Sequence, residues 1–381
     1  MLQKDDLKYL FLSVIMLSML GLVFISAATS YHIASHGGLI NSYLLKQTIF
    51  LLIGMFLAQA ISTLDIKNFE EFNKILFFFV LALLVATFVP GFGVKVNGSN
   101  RWINLIFFRL QPSELIKIFF ILYLAYTIPV CQEKPKKIVG LILIPYIIMA
   151  ITLLNQPDLG STVIITLILG ISAFLALKNF TIKLFSFLAI LAGTLVTIMI
   201  ITSKYRMARV TAFLDPMATP EIALKEGFQL SQSFKSIATG DFFSGLGWSN
   251  SVSSRSFLPE NHTDFIFSTI PEQFGILFSI ALVLLIFAIP LFLLRISQTF
   301  KNQQGRLFIS VFSIIWLFED SVNLFGVLGL APQKGLALKL ISYGGSNLIS
   351  VYIGLGICLA YGYFEISNTL KINKCKKKIP L

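Results

Sequence analysis

Residues 258–294 read Leu258-Pro-Glu-Asn-His-Thr-Asp-Phe-Ile-Phe-Ser-Thr-Ile-Pro-Glu-Gln-Phe-Gly-Ile-Leu-Phe-Ser-Ile-Ala-Leu-Val-Leu-Leu-Ile-Phe-Ala-Ile-Pro-Leu-Phe-Leu-Leu294. Glu260, His262 and Asp264 crowd its start, and from Phe265 to Leu294 the segment is largely apolar, with Glu272 and Gln273 within it. That apolar part exceeds the roughly 20 residues a bilayer requires. Asp264 therefore stands where water gives way to hydrocarbon, a place where an ionisable residue is costly and marks function by default. Two readings of it stand side by side. Thr263 or Asp264 can cap the helix that starts at Phe265. A partly desolvated carboxylate among aromatic residues is also an effective proton acceptor. His262 reads as structural, and Glu260 as a solvated turn residue after Pro259.

The rest of the chain repeats the same apolar texture. Of 381 residues 56% are hydrophobic and 13% charged, and the mean hydropathy is +0.83. Long continuous apolar runs exclude a soluble domain and a β-barrel alike, and define an all-α polytopic membrane protein. Spans are expected at 9–29, 43–62, 75–92, 112–130, 138–154, 161–177, 184–202, 265–294, 307–330 and 347–366. That is about ten transmembrane helices in a single domain covering 1–381, with a long extracytoplasmic loop (203–264) before the eighth helix and a basic tail at 367–381. The first span is too long for a signal peptide and is kept as a helix.

The charges orient the bundle. With the N-terminus inside, the inner segments hold Lys4, Lys8, Lys67, Lys74, Lys134, Lys136, Lys137, Lys178, Lys183, Arg295, Lys301, Arg306, Lys371, Lys374, Lys376, Lys377 and Lys378. The short outer loops hold only Lys95, Arg101, Arg109, Lys334 and Lys339. Basic residues favour the cytoplasmic side, so both termini are placed there, and long loops such as 203–264 are exempt. The net charge of +12 is thereby explained as membrane orientation, and nucleic acid is not expected as a partner. Phe213, Phe228, Phe234, Phe242, Phe243, Trp248 and Phe257 make 203–264 an ordered, partly embedded segment. Cys131, Cys358 and Cys375 include no Cys-x-x-Cys pair, and the histidines have no metal-ligand spacing, so no metal site is expected.

Further polar residues gather at the outer helix ends. Arg101 and Trp102 suit a cation anchored at the interface or an orientation anchor. Glu114 and Lys117, three apart, share a helix face within a span, where ions pair or line a cavity. Arg206 and Arg209 share one face of an interfacial helix, and arginine clusters also hold phosphates. Lys334 precedes a glycine-rich turn, Tyr343-Gly-Gly-Ser-Asn347, able to hold an anion through backbone N–H groups. Glu319, Asp320 and Asn323 sit within the ninth span and need partners. Gln111-Pro-Ser-Glu114 and Gln156-Pro-Asp158 both place an acid just after a proline at a helix start, where it complements the helix dipole.

These stretches together resemble the SEDS family, the shape, elongation, division and sporulation proteins of bacterial wall synthesis. The resemblance rests on Asn97-Gly-Ser-Asn-Arg-Trp-Ile103, Gln111-Pro-Ser-Glu114, Gln156-Pro-Asp-Leu-Gly160, Tyr205-Arg-Met-Ala-Arg-Val-Thr-Ala-Phe-Leu-Asp-Pro216, Leu258-Pro-Glu-Asn-His-Thr-Asp-Phe-Ile-Phe267 and Lys334-Gly335 with Ile341-Ser-Tyr-Gly-Gly-Ser346. They occur in family order over nearly the whole chain. Ala208-Arg-Val-Thr-Ala-Phe213, Gly227-Phe-Gln229 and Pro332-Gln-Lys-Gly335 resemble the division branch more than the elongation branch. The chain departs from the family pattern at Pro271-Glu272-Gln273, usually Gly-Glu-Glu, at Glu319-Asp320, and at Asn347, usually serine.

The resemblance implies a peptidoglycan glycosyltransferase that polymerises lipid II at the outer face of the bacterial inner membrane, during division, with a class B penicillin-binding transpeptidase and other division proteins as partners. It places the family's essential aspartate on Asp264. Arg101, Trp102, Glu114 and Lys117 fall on positions lining the outer cavity, and Arg209, His262 and Lys334 complete the expected substrate contacts. It leaves room for a divalent ion, Mg or Mn, beside the diphosphate. Other readings are a lipid II flippase using Glu114, Lys117, Glu319 and Asp320 along a path, an elongation-type polymerase, and a non-catalytic division scaffold. The orientation is testable directly. A cysteine introduced into 203–264 is expected to react with an impermeant maleimide from the periplasm; reaction only after permeabilisation would reverse the topology.

Overall fold

The computed structural model describes residues 4–35, 42–96, 99–105, 108–177, 182–219, 222, 226–247 and 261–376. Asn97, Gly98, Lys225, Trp248, Arg255, Phe257, Pro259, Glu260, Lys377 and Lys378 lie outside the described residues. Helices α1 (Lys4–Ser35), α2 (Ser42–Ser62) and α3 (Ile66–Ala86) lead into an antiparallel sheet of β1 (Gly93–Val96), β2 (Ser99–Leu105) and β3 (Phe108–Leu110), in that order across the sheet. There follow α4 (Pro112–Glu133), α5 (Ile144–Asn155), α6 (Leu159–Ala176) and α7 (Ile182–Ile201). The long loop contributes α8 (Lys204–Leu214) and α9 (Glu226–Ala238). Then come α10 (Ile266–Phe274), α11 (Ile276–Ser297), α12 (Gln303–Val327) and α13 (Gly345–Lys376).

Among the described residues eight helices are long and apolar enough to cross a membrane: α1, α2, α4, α5 with its preceding turns, α6, α11, α12 and α13. The chain is a multi-pass membrane protein. The expectation of ten spans counts α3 and α7 as well, of 21 and 20 residues. The third span begins earlier than expected, at Ile66 rather than Ile75, because Asp65 in extended backbone precedes the first turn. Glu70, Glu71 and Lys74 therefore lie on the helix itself.

Local sequence explains the helix ends. Pro112 opens α4, where its missing N–H is harmless. Asp158 caps α6, its Oδ1 accepting from Ser161 N at 3.1 Å, and Asn302 caps α12, accepting from Gly305 N at 2.7 Å. The chain enters α5 through a π-helical turn at Val139–Leu143, and the Tyr123 hydroxyl donates to the Leu141 carbonyl there at 2.7 Å.

Two expectations need correction. The small sheet was not anticipated in an all-α reading. Its sequence signal is Asn97-Gly98 after the alternating Val94-Lys95-Val96, a hairpin dipeptide. The eighth span, expected as one helix over 265–294, is broken at Gly275, whose φ is 92°. The break is tertiary in origin. Segment 241–242 crosses it, and the Asp241 and Phe242 carbonyls accept from Ile276 N and Leu277 N, both at 3.0 Å. Those N–H groups would otherwise be orphans of a new helix start. Pro271 sits inside α10, which ends three residues later, so its lost backbone bond costs one turn at most.

Burial identifies the central helices. Over the span 78% of α4, 72% of α12 and 78% of α13 is buried, against 28% for α2 and 33% for α11. The peripheral helices expose Phe56, Phe79, Ile75 and Leu284, as lipid-facing surfaces do. The central three can therefore carry polar side chains away from lipid, and they do. α13 lies along α2, where a Cβ on Gly356 would come within 2.9 Å of the Ala58 backbone, the close approach that small residues permit between membrane helices.

Candidate active site

Three backbone carbonyls in succession fix the turn that carries Asp264. His262 O accepts from Tyr343 N at 2.9 Å, Thr263 O from the Ser342 hydroxyl at 2.7 Å, and Asp264 O from Asn323 Nδ2 at 2.9 Å. The His262 ring packs against Tyr43 and Tyr343, with centroids 4.6 and 5.7 Å away, and Asn261 Nδ2 donates to Ala28 O at 3.0 Å. His262 thus acts on the turn, in keeping with a structural reading. The position that caps α10 is Phe265, which has no side-chain acceptor. Asp264 lies one residue outside it and is half-buried.

The Asp264 carboxylate faces the segment 333–336. A Cβ built on Gly335 would lie 2.7 Å from Asp264 Oδ2, so only glycine leaves the carboxylate where it is. Each neighbour of Gly335 has its own partner. Gln333 O accepts from Arg209 Nη1 at 3.4 Å. Lys334 extends to the start of α6: a Cβ on Gly160 would meet Lys334 Cε at 2.9 Å and Asp158 Oδ1 at 3.2 Å. Leu336 O accepts from Asn323 Nδ2 at 2.5 Å. Burial pushes the Lys334 ammonium below the usual lysine range, opposed by the Asp158 and Glu319 carboxylates.

Arg101 reaches the same place from β2. Its Nε donates to Gln156 O at 3.0 Å and its Nη2 to Pro157 O at 2.8 Å, directly before Asp158. Trp102, next in β2, is half-buried and, by strand alternation, faces the other side of the sheet. Arg101, Arg209, Lys334 and Asp264 therefore converge on two short turns, 156–158 and 333–336. In these bonds the arginines donate to backbone carbonyl oxygens, which orient each guanidinium.

Glu114 and Lys117 lie deeper and behave differently. Lys117 Nζ sits 2.9 Å from the Glu114 carboxylate and 2.7 Å from Glu319 Oε1. Glu319 also pairs with Lys339 through Oε2, and Glu114 accepts from Asn347 Nδ2 at 3.0 Å. Two carboxylates and two ammonium groups alternate in one buried chain, and their charges sum to zero. Asp320 beside it accepts from Trp316 Nε1 at 2.7 Å and Lys339 N at 3.0 Å. A cavity of about 10 Å³ adjoins Lys117 and Glu319, room for a single water molecule. Glu319, Asp320 and Asn347, the departures from the family pattern, all join this network or adjoin it. Lys339 was legible only as an orienting loop charge. Its pairing joins residues 20 positions apart, beyond any helical spacing. Among the described residues no group of three His, Cys, Asp or Glu side chains could hold a metal ion.

The fold and this geometry define a membrane-embedded protein with one carboxylate and several cations set at one end of its helix bundle. The chain belongs to the family of FtsW, RodA and SpoVE cell cycle proteins, whose model matches residues 8–365. It is 35% identical over 380 residues to the probable peptidoglycan glycosyltransferase FtsW of Wigglesworthia glossinidia brevipalpis, covering 96% of this chain and 94% of that protein. A solved structure described as structural coordination of polymerization and crosslinking by a peptidoglycan synthase complex contains a similar chain. It has a TM-score of 0.74 and 27% identity, over 93% of this chain and 97% of that one. The rod shape determining protein RodA of Thermus thermophilus shares the fold, with a TM-score of 0.64 at 23% identity over 94% and 96% of the two chains.

The charge chain makes a stability prediction. Lys339→Met leaves one ammonium for two buried carboxylates and is expected to cost about 3–5 kcal/mol. Adding Glu319→Gln restores neutrality and is expected to regain most of that loss. Thermal unfolding of the purified single and double variants in detergent checks it; additive losses would refute the balanced chain.

Proposed function

We propose that this chain is a peptidoglycan glycosyltransferase that polymerises lipid II, and that Asp264 is its general base. The observation that supports this most is the Asp264 carboxylate lying against Gly335, with Lys334 on the same segment and Arg209 of α8 bonded to it. Lipid II is an amphiphile, a disaccharide-peptide on a polyprenyl diphosphate. Its chain suits the lipid between helices and its sugars suit the polar end of the bundle. Asp264 takes the proton of the acceptor sugar's 4-hydroxyl. The freed oxygen forms a bond to the donor's anomeric carbon, the bond from that carbon to the diphosphate oxygen breaks, and the configuration inverts.

Charge development decides the other roles. The departing diphosphate gains negative charge, and preorganised cations stabilise it most when they are not already neutralised. Arg101 and Arg209, oriented by backbone carbonyls, and Lys334, on the segment facing Asp264, are the cations set at the site. Lys117, flanked by Glu114 and Glu319, is already neutralised, and serves instead with Glu114 as the supporting floor. A divalent ion would take most of its ligands from the diphosphate and water, as magnesium commonly does. The closed ion pairs and small cavity around Lys117 also disfavour a flippase, which needs polar groups open along a path.

By kinship to FtsW the reading extends to cell division, to a class B penicillin-binding transpeptidase as partner, and to the bacterial inner membrane with both termini cytoplasmic and the site outside. Asp264→Asn tests the catalytic core of this reading. Asparagine keeps the size of aspartate and removes the proton acceptor. The variant is expected to fold and to bind its transpeptidase, and to lose lipid II polymerisation by about 100-fold or more. Near-normal glycan chains on a gel, at matched amounts of complex, would overturn it.

A further inference from the structure

We infer that Asn323 is a positioning residue that sets the distance between Asp264 and the Lys334–Gly335 segment; this rests on the reading of Asp264 as the base. Asn323 lies on α12 one turn beyond Glu319, and its side chain is 4% exposed. Its Nδ2 carries two hydrogens and uses both, one on Asp264 O at 2.9 Å and one on Leu336 O at 2.5 Å. The two N–H bonds of a planar amide diverge at a fixed angle, so one rigid group holds the two carbonyls at a set separation. Chemistry fixes its orientation, because only the nitrogen side can serve two carbonyl acceptors.

The two carbonyls belong to the two segments that meet at the site. Asp264 carries the carboxylate. Leu336 follows Gly335, against which that carboxylate lies. The turn and the loop are also joined to each other, through Tyr343 N to His262 O and the Ser342 hydroxyl to Thr263 O. Those bonds hold turn to loop but attach neither to the helix bundle. Asn323 does, from a central helix already fixed by the ion pairs of Glu319. Lys339 anchors the loop to α12 three residues further on, through Glu319 and Asp320; without the Asn323 amide the Asp264 turn and the stretch at Leu336 lose their own bonds to that helix and can shift against it.

The other end of the side chain bears on the argument. Asn323 Oδ1 is buried and has no hydrogen-bond partner in the structure. A buried unpaired acceptor is a cost. If filling space were the only task, leucine would do it without that cost. The amide is accounted for by its two donated bonds, which no apolar residue can make.

Asn323→Leu in the full chain, purified with its transpeptidase, provides the test. The readout is kcat and KM for lipid II polymerisation, normalised to folded complex. The expected result is a kcat lower by about 10- to 100-fold, the scale of an ångström-sized misplacement, with KM changed less than about 3-fold. Loss of folding alone would lower the amount of complex and leave kcat per complex intact. Asn323→Asp, of equal size, offers at most one donor when protonated and is expected to show a smaller fall in kcat. An unchanged kcat for either folded variant overturns the inference. Failure of both to assemble assigns Asn323 to folding and overturns it too. Asp264→Asn run alongside separates the two ideas. A nearly normal Asp264→Asn sinks the base itself, whereas a silent Asp264→Asn beside a fully active Asn323→Leu sinks only the positioning role.

Discussion

No side chain fits between residue 335 and the Asp264 carboxylate, and that contact organises everything around it. Gly335 sits in a stretch where each residue from 333 to 336 has a separate partner: Arg209, the start of α6, Asp264 and Asn323. Four parts of the chain, far apart in sequence, are thereby brought to one segment that has no regular structure of its own. The acid and the cations do not share a helix or a strand. Their geometry is that of a loop two of whose carbonyls, Gln333 O and Leu336 O, accept side-chain bonds from other elements, which helps define an irregular segment.

The loop is held from below by charge. Burying ions in a membrane protein is tolerable when they pair, and Glu114, Lys117, Glu319 and Lys339 do so in alternation on the least lipid-exposed helices. Lys339 belongs to the same loop as Lys334, so the chain of ion pairs ties that loop to α4 and α12. A division of labour follows. The deep cations are neutralised and structural. The shallow ones, Arg101 and Arg209, are steered by the carbonyls of Gln156, Pro157 and Gln333.

Much of this was legible in the residues. Hydrophobic runs located most helices to within a few positions, because a bilayer imposes both their length and their composition. Arg101, Lys334, Arg209 and Asp264 were identifiable because polar residues at the ends of apolar runs are few. Other features depend on contacts that no local pattern encodes. The run from Phe265 to Leu294 is largely apolar and long enough to read as one helix, and its break at Gly275 goes with bonds to the carbonyls of Asp241 and Phe242 from outside the helix. Lys339 resembles any orienting lysine until Glu319 is found beside it. Asn323 was visible as a buried polar residue, yet its role needed both carbonyls in view. The sheet could have been anticipated, since Asn97-Gly98 after Val94-Lys95-Val96 is a local signal.

The account's central claim is that Asp264 and the 333–336 segment form one site, and Gly335→Ala tests it most directly. Gly335 is not among the residues of positive φ, so alanine introduces no backbone strain there. The atom it would meet is the end of the Asp264 side chain, which can swing aside while the fold stays intact. The account predicts an unchanged thermal midpoint and a rate of lipid II polymerisation lower by about 10- to 100-fold. A Gly335→Ala complex that polymerises at the wild-type rate would contradict it.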